Sequence, residues 1–82
     1  MNQKKTIVDV RTIQEFAGGH VAGSINIPLH EIPHRLPEFK KMQTPVILCC
    51  ASGNRSEQAA IYLKRLGIDC KNGGSWLDVS FN

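Results

Sequence analysis

Pro45-Val46-Ile47-Leu48-Cys49-Cys50-Ala51-Ser52-Gly53-Asn54-Arg55-Ser56 is the stretch on which the reading of this chain turns. Its first five residues are a short apolar run of the kind that forms a buried strand. Beyond Ser56, the apolar residues Ala59, Ala60, Leu63 and Leu66 recur at helical spacing and stop at Gly67. A helix is therefore predicted over residues 56–66. Between strand and helix lies a turn of small residues that begins with a thiol. Open α/β sheets place their ligand crevices at the carboxyl ends of strands. Backbone N–H groups and the helix dipole favour an anion at the start of the following helix. A cysteine placed there is expected to be a reactive thiolate.

Working outward, Thr6-Ile7-Val8-Asp9-Val10 is β-branched and reads as a second strand. Thr12-Ile13-Gln14-Glu15 has the form of a capping box opening a short helix that Gly18-Gly19 ends. Gly23 to Pro28 reads as a turn and short strand. Over residues 29–39, Leu29, Ile32, Leu36 and Phe39 suggest a helix, in which Pro33 fits only the first turn and Pro37 should end or kink it. Residues 67–72 read as a turn and an edge strand. Ser75-Trp76-Leu77-Asp78 has the form of a second capping box, opening a brief terminal helix. Strands alternating with helices predict an α/β fold, a mostly parallel sheet flanked by helices.

The 82 residues form one domain, 1–82, with no room for a second. At this size only about 60–65% of the unfolded surface is buried, so the core is small. No apolar stretch approaches the roughly 20 residues that span a membrane. The basic start Met1-Asn2-Gln3-Lys4-Lys5 is followed by too short an apolar run for a secretory leader. The chain is expected in the cytoplasm, or in the periplasm had a leader been removed. Its net charge of +3 is spread over short basic pairs such as Lys40-Lys41 and Lys64-Arg65. Nucleic-acid binding calls for a concentrated basic face, so small anionic substrates fit better. An odd count of three cysteines argues against a disulfide framework. Adjacent Cys49 and Cys50, with His20, His30 and His34, lack the spacing of zinc ligands, so no metal is expected.

The loop's residue types have chemical reasons. A thiol of pKa about 8.5 is only ~3% ionised at pH 7. A helix N-terminus contributing up to ~2 kcal/mol would lower that pKa by about 1.5 units. Ala51, Ser52 and Gly53 let the backbone curl close to the sulfur, and Gly53 tolerates positive φ. The N–H groups from Ala51 to Ser56, with Asn54 among them, are candidates to hold it. Arg55 offers a cationic fork to an oxyanion. Counting from Cys49, Arg55 completes the C-x₅-R spacing of cysteine-dependent phosphatases; counting from Cys50, it completes C-x₄-R. Gly53 lies three positions after Cys50, and Cys49 continues the apolar run into packing. Both details favour Cys50, leaving a loop one residue shorter than a phosphate cradle. Elsewhere, Arg11 and Glu15 are expected to pair, Asp9 to tie a loop and His20 to be a hydrogen-bonded scaffold residue. Cys70 is expected in packing and Trp76 as a lid on the core.

Four motifs in order resemble the rhodanese family of sulfurtransferases over nearly the whole chain. They are Ile7-Val8-Asp9-Val10-Arg11 with Glu15-Phe16, then Gly19-His20-Val21-Ala22-Gly23-Ser24-Ile25-Asn26-Ile27-Pro28, then Cys50-Ala51-Ser52-Gly53-Asn54-Arg55-Ser56, and Gly73-Gly74 with Trp76. The chain is most similar to small single-domain members of the phage shock protein E type, shortened ahead of the first strand and after Trp76. The resemblance implies that Cys50 takes the outer sulfur of an anionic donor such as thiosulfate. It would carry that sulfur as a persulfide and pass it to cyanide, a thiol or a protein cysteine. No cofactor is implied, and the chain would be a monomer or weak dimer. Two other readings stay open: a non-catalytic rhodanese-like binding or redox-sensing module, and a phosphatase or arsenate reductase using Cys49.

Overall fold

A computed structural model describes residues 6–79. The basic start Met1–Lys5, expected not to open a secretory leader, lies outside the described residues. Four strands form one sheet: β1 (Thr6–Asp9), β2 (Ile25–Asn26), β3 (Val46–Cys50) and β4 (Cys70–Ser75). All neighbouring pairs are parallel, in the order β2-β1-β3-β4. The helices flanking the sheet are α1 (Ile13–Ala17), α2 (Leu36–Lys40), α3 (Asn54–Arg65) and α4 (Trp76–Val79), with a 3-10 helix at Leu29–His34. The expected α/β architecture is the one observed.

This order matters for function. The chain leaves β1 toward β2 on one side and later leaves β3 toward β4 on the other. The carboxyl ends of β1 and β3 therefore flank a topological switch point, where the connections diverge and leave a crevice. Cys50 ends β3, and Val10 to Thr12 follow β1.

Period-2 alternation along β3 turns Val46, Leu48 and Cys50 toward the main core. There they join Val8, Ile27, Phe39, Ala59, Ala60 and Leu63. Cys49 is equally buried but lies outside that cluster. Cys70 packs in the core, its thiol directed at the Ala60 carbonyl.

Several boundaries differ from the sequence reading, each for a local reason. Residues 29–39 do not form one helix. The 3-10 helix carries Pro33, and α2 begins anew with Pro37 in its first turn, where the missing N–H is harmless. Pro37 thus opens a helix instead of ending one. Helix α3 begins at Asn54, two residues earlier than read, because Gly53 caps it in the left-handed region at φ 101°. Gly73-Gly74 lies within β4 instead of beyond it. Leu48 pairs with Asn72 and Cys49 with Gly74, so Gly73 is the extra residue of a bulge. A Cβ on Gly73 would come within 2.8 Å of both Ile47 Cγ2 and Val79 Cγ2, which leaves room for glycine alone.

Candidate active site

The end of β3 and the start of α3 curl backbone N–H groups around one sulfur. The Cys50 Sγ accepts from Gly53 N–H at 3.0 Å and from Ser56 N–H at 3.5 Å, and Ser56 Oγ lies 3.4 Å away. The Ser52 N–H adds to the same field. Burial is the largest single influence on this thiol and pushes its pKa up. The Ser56 hydroxyl and the N–H groups of Ser56, Gly53 and Ser52 together outweigh it, so the net shift is downward. Gly53 makes this turn possible through its positive φ of 101°, which other residues rarely adopt.

Cys49 has the opposite environment. Burial pushes its thiol up to about 12, and the negative charge of Asp9 adds to the effect. Burial also raises Cys70. Iodoacetamide at about pH 7.5 should therefore alkylate Cys50 in the folded protein and spare Cys49 and Cys70. Peptide mapping reads the outcome directly, and labelling of Cys49 ahead of Cys50 would reverse the assignment.

The remaining loop residues sit as follows. Ala51, Ser52 and Asn54 are exposed, Gly53 and Ser56 are buried, and Arg55 is half-buried. The Arg55 guanidinium is gripped by a residue distant in sequence: Nη1 and Nη2 donate to the two Glu15 carboxylate oxygens at 2.7 and 3.0 Å. Glu15 is also half of the predicted capping box, which forms complete. Its Oε1 accepts from Thr12 N–H, and its own N–H donates to Thr12 Oγ1.

The expected Arg11–Glu15 pair is replaced by two others. Arg11 instead embraces Asp9, donating from its backbone N–H and Nε to Oδ1 and from Nη2 to Oδ2, at 2.8–3.0 Å. Side chains two apart on extended backbone face the same way, so the strand itself presents Asp9 to Arg11. Arg11 also donates to the Gly19 carbonyl at 2.6 Å and lies 4.7 Å from the Trp76 ring centre. Trp76, half-buried, thus braces Arg11. His20 hydrogen-bonds the Phe16 carbonyl and stacks on the Phe16 ring, a scaffold position.

The Arg55 hydrogen bonds, followed by the Thr12 backbone, lower the Glu15 carboxyl from 4.5 to about 2. A depressed carboxyl stabilises the fold fully above its unfolded pKa, and that contribution fades as pH falls through the folded value. Acid titration of the melting temperature should thus show a loss between about pH 4.5 and 2 that Glu15→Gln lacks. Identical slopes in both proteins would mean that the pair contributes nothing to folding.

Beside Arg55, a cleft of about 320 Å³ is lined by Val10, Thr12, Pro28, Leu29, His30 and Arg55. It opens over the carboxyl ends of β1 and β2. Among the described residues, no group of three or more His, Cys, Asp or Glu is placed to hold a metal ion.

A parallel sheet ending in a cysteine held by its own loop's N–H groups, at a helix N-terminus, defines an α/β protein built around an activated thiol. The chain belongs to the rhodanese-like family: the rhodanese-like domain profile matches residues 1–82. A sulfurtransferase from Allochromatium vinosum is 41% identical over 61 residues, which are 74% of this chain and 56% of that protein. The thiosulfate sulfurtransferase GlpE of Ectopseudomonas mendocina is 38% identical over 62 residues, 76% of this chain and 56% of its own. A rhodanese-like domain protein from Staphylococcus aureus superposes with a TM-score of 0.86 at 34% identity, covering 96% of this chain and 76% of that one. This chain spans about half the length of the first two.

Sequence reasoning missed two residues of the site. Glu15 pairs with Arg55 and not with the expected Arg11, and Asn72 belongs to the loop's hydrogen bonds as well as to a strand. Asn72 reaches back to the loop, donating from Nδ2 to the Gly53 carbonyl at 3.1 Å and accepting at Oδ1 from Ser56 Oγ at 2.6 Å.

Proposed function

We propose that this protein transfers sulfane sulfur from a thiosulfate-like donor to a thiol or cyanide, with Cys50 as nucleophile and sulfur carrier. The observation that carries this reading is the convergence of the Gly53 and Ser56 N–H groups on the Cys50 sulfur. The Cys50 thiolate attacks the outer sulfur of the donor. A new S–S bond forms as the old one breaks, and its electron pair leaves with sulfite. An acceptor thiolate then attacks the outer sulfur of the Cys50 persulfide, leaves with it as its own persulfide, and returns Cys50 to thiolate. This is ping-pong covalent catalysis.

Arg55 contributes through what Glu15 leaves free. Two of its N–H groups are engaged, and the others remain to attract an anionic donor. The GlpE relative, named a thiosulfate sulfurtransferase, supports the choice of donor. The high thiol pKa of Cys49 argues against a phosphatase built on that residue.

Intact-protein mass spectrometry after brief incubation with thiosulfate tests the proposal. Cys50 should gain about 32 Da, one sulfur atom, and lose it on addition of cyanide or a thiol. If Cys50 alkylates readily and never acquires the sulfur, the proposed reaction is wrong.

A further inference from the structure

The Ser56 hydroxyl has one proton and three claimants. Asn72 Oδ1 lies 2.6 Å away, the Gly53 carbonyl 3.2 Å and the Cys50 sulfur 3.4 Å. The orientation of the Asn72 amide is set by its other neighbours. Oδ1 faces the Gly74 N–H at 2.9 Å, which can only donate. Nδ2 faces the Gly53 carbonyl at 3.1 Å and Glu57 Oε1 at 3.3 Å, which accept. An oxygen therefore meets the Ser56 hydroxyl, and so short a contact takes its proton. Toward Cys50 the hydroxyl then presents a lone pair. That suits a neutral S–H, which can donate to it, and repels a thiolate.

We propose that Asn72 is a positioning residue that holds the Ser56 proton away from Cys50 until the sulfur is charged, making the hydroxyl a one-proton switch. This deepens the reading of Cys50 as nucleophile and rests on it. When Cys50 ionises, the hydroxyl turns to donate to the sulfur and releases Asn72. When the outer sulfur is loaded, the negative charge moves one atom outward to the backbone N–H groups. The inner sulfur is then uncharged, and the proton returns to Asn72. Because the hydroxyl must give up Asn72 to reach the thiolate, its hydrogen bond stabilises the anion by less than it otherwise would, which preserves nucleophilicity. The bulge at Gly73 sets this up, since it brings Gly74 N–H rather than the next ladder position onto Asn72 Oδ1.

Other charged and titratable groups packed around the loop are Arg55 and Glu57 on α3, Glu15 on α1, the Asp9–Arg11 pair after β1, and Cys49. Substitution at Asn72 touches one of them directly, since Glu57 Oε1 loses the Nδ2 donor 3.3 Å away, while the others keep their partners. The test is the pH dependence of Cys50 alkylation by iodoacetamide, which needs no sulfur donor. Asn72→Ala should lower the apparent pKa by roughly half a unit, about a threefold rise in the thiolate-to-thiol ratio. Asn72→Asp, which keeps the acceptor, should show no such fall. In a Ser56→Ala background, Asn72→Ala should have no effect, because its partner is gone.

A rise or no change in Asn72→Ala, or the same shift with Ser56 removed, would overturn the proposal. Asn72 would then act only by fastening the Gly53 backbone. Should Asn72→Ala fail to fold, Asn72→Leu, close in shape and without an acceptor, carries the same expectation. A protein with these shifts that never gains sulfur from thiosulfate keeps the switch and loses the proposed reaction, so the two failures are distinguishable.

Discussion

Cys50→Ser is expected to abolish sulfur loading and to cut turnover with thiosulfate by roughly a thousandfold or more, the scale on which covalent catalysis fails without its nucleophile. Serine fits the same loop and keeps a hydroxyl before the same N–H groups. What it lacks is an anion at neutral pH. Cys49→Ser, one residue away, should retain most of the activity, because that side chain points to the other side of β3 and its thiol stays protonated. Mass spectrometry of both variants after thiosulfate, alongside sulfite release, separates the two. Activity that survives in Cys50→Ser and vanishes in Cys49→Ser would move the nucleophile and revive the phosphatase-like spacing.

The second large effect concerns stability. Asp9 is fully buried and Arg11 is 5% exposed, and they satisfy each other through a forked pair. Asp9→Asn preserves shape while leaving a buried guanidinium without its counter-charge. Breaking such a pair from one side costs about 3–5 kcal/mol. A domain of this length has about 4–12 kcal/mol of stability in all. Such a loss lowers the melting temperature by roughly 12 °C or more. Thermal unfolding followed by circular dichroism measures it, and a change under about 1 kcal/mol would show that the pair is effectively solvated. The same substitution should blunt alkylation at Cys50, since Arg11 ties the exit of β1 to Gly19 and Trp76.

What was legible in the sequence follows the range of the forces involved. The strand ending at Cys50, the Thr12–Glu15 capping box and the apolar face of α3 depend on residues within one or two turns of each other, and periodicity exposes them. The surroundings of Cys50 were legible for the same reason, because Gly53 and Ser56 lie within six positions of it. The pairing of Glu15 with Arg55 spans 40 positions and is decided by which strands lie side by side. Arg11 lies four positions from Glu15 and Arg55 forty, so nothing local pointed to the distant partner. Asp9 with Arg11 was within reach, since alternation along an extended chain puts both on one side; helical spacing from Arg11 to Glu15 was the competing cue. Asn72 was hidden by the bulge. A glycine pair reads as the end of a strand, whereas here the strand absorbs an extra residue and continues. At residues 29–39 an apolar period suited to one helix outvoted two prolines that required two.

The complete burial of Cys50 bears on which molecules this thiol encounters at all. A sulfur with no exposed surface beneath a tight loop meets a reagent only when the loop gives way, and a slender reagent asks the least of that movement. Branched disulfides, whose sulfur is flanked on both sides, meet the loop first. The depth of the loop over Cys50 thus weighs against bulky oxidised thiols and in favour of slender sulfur compounds.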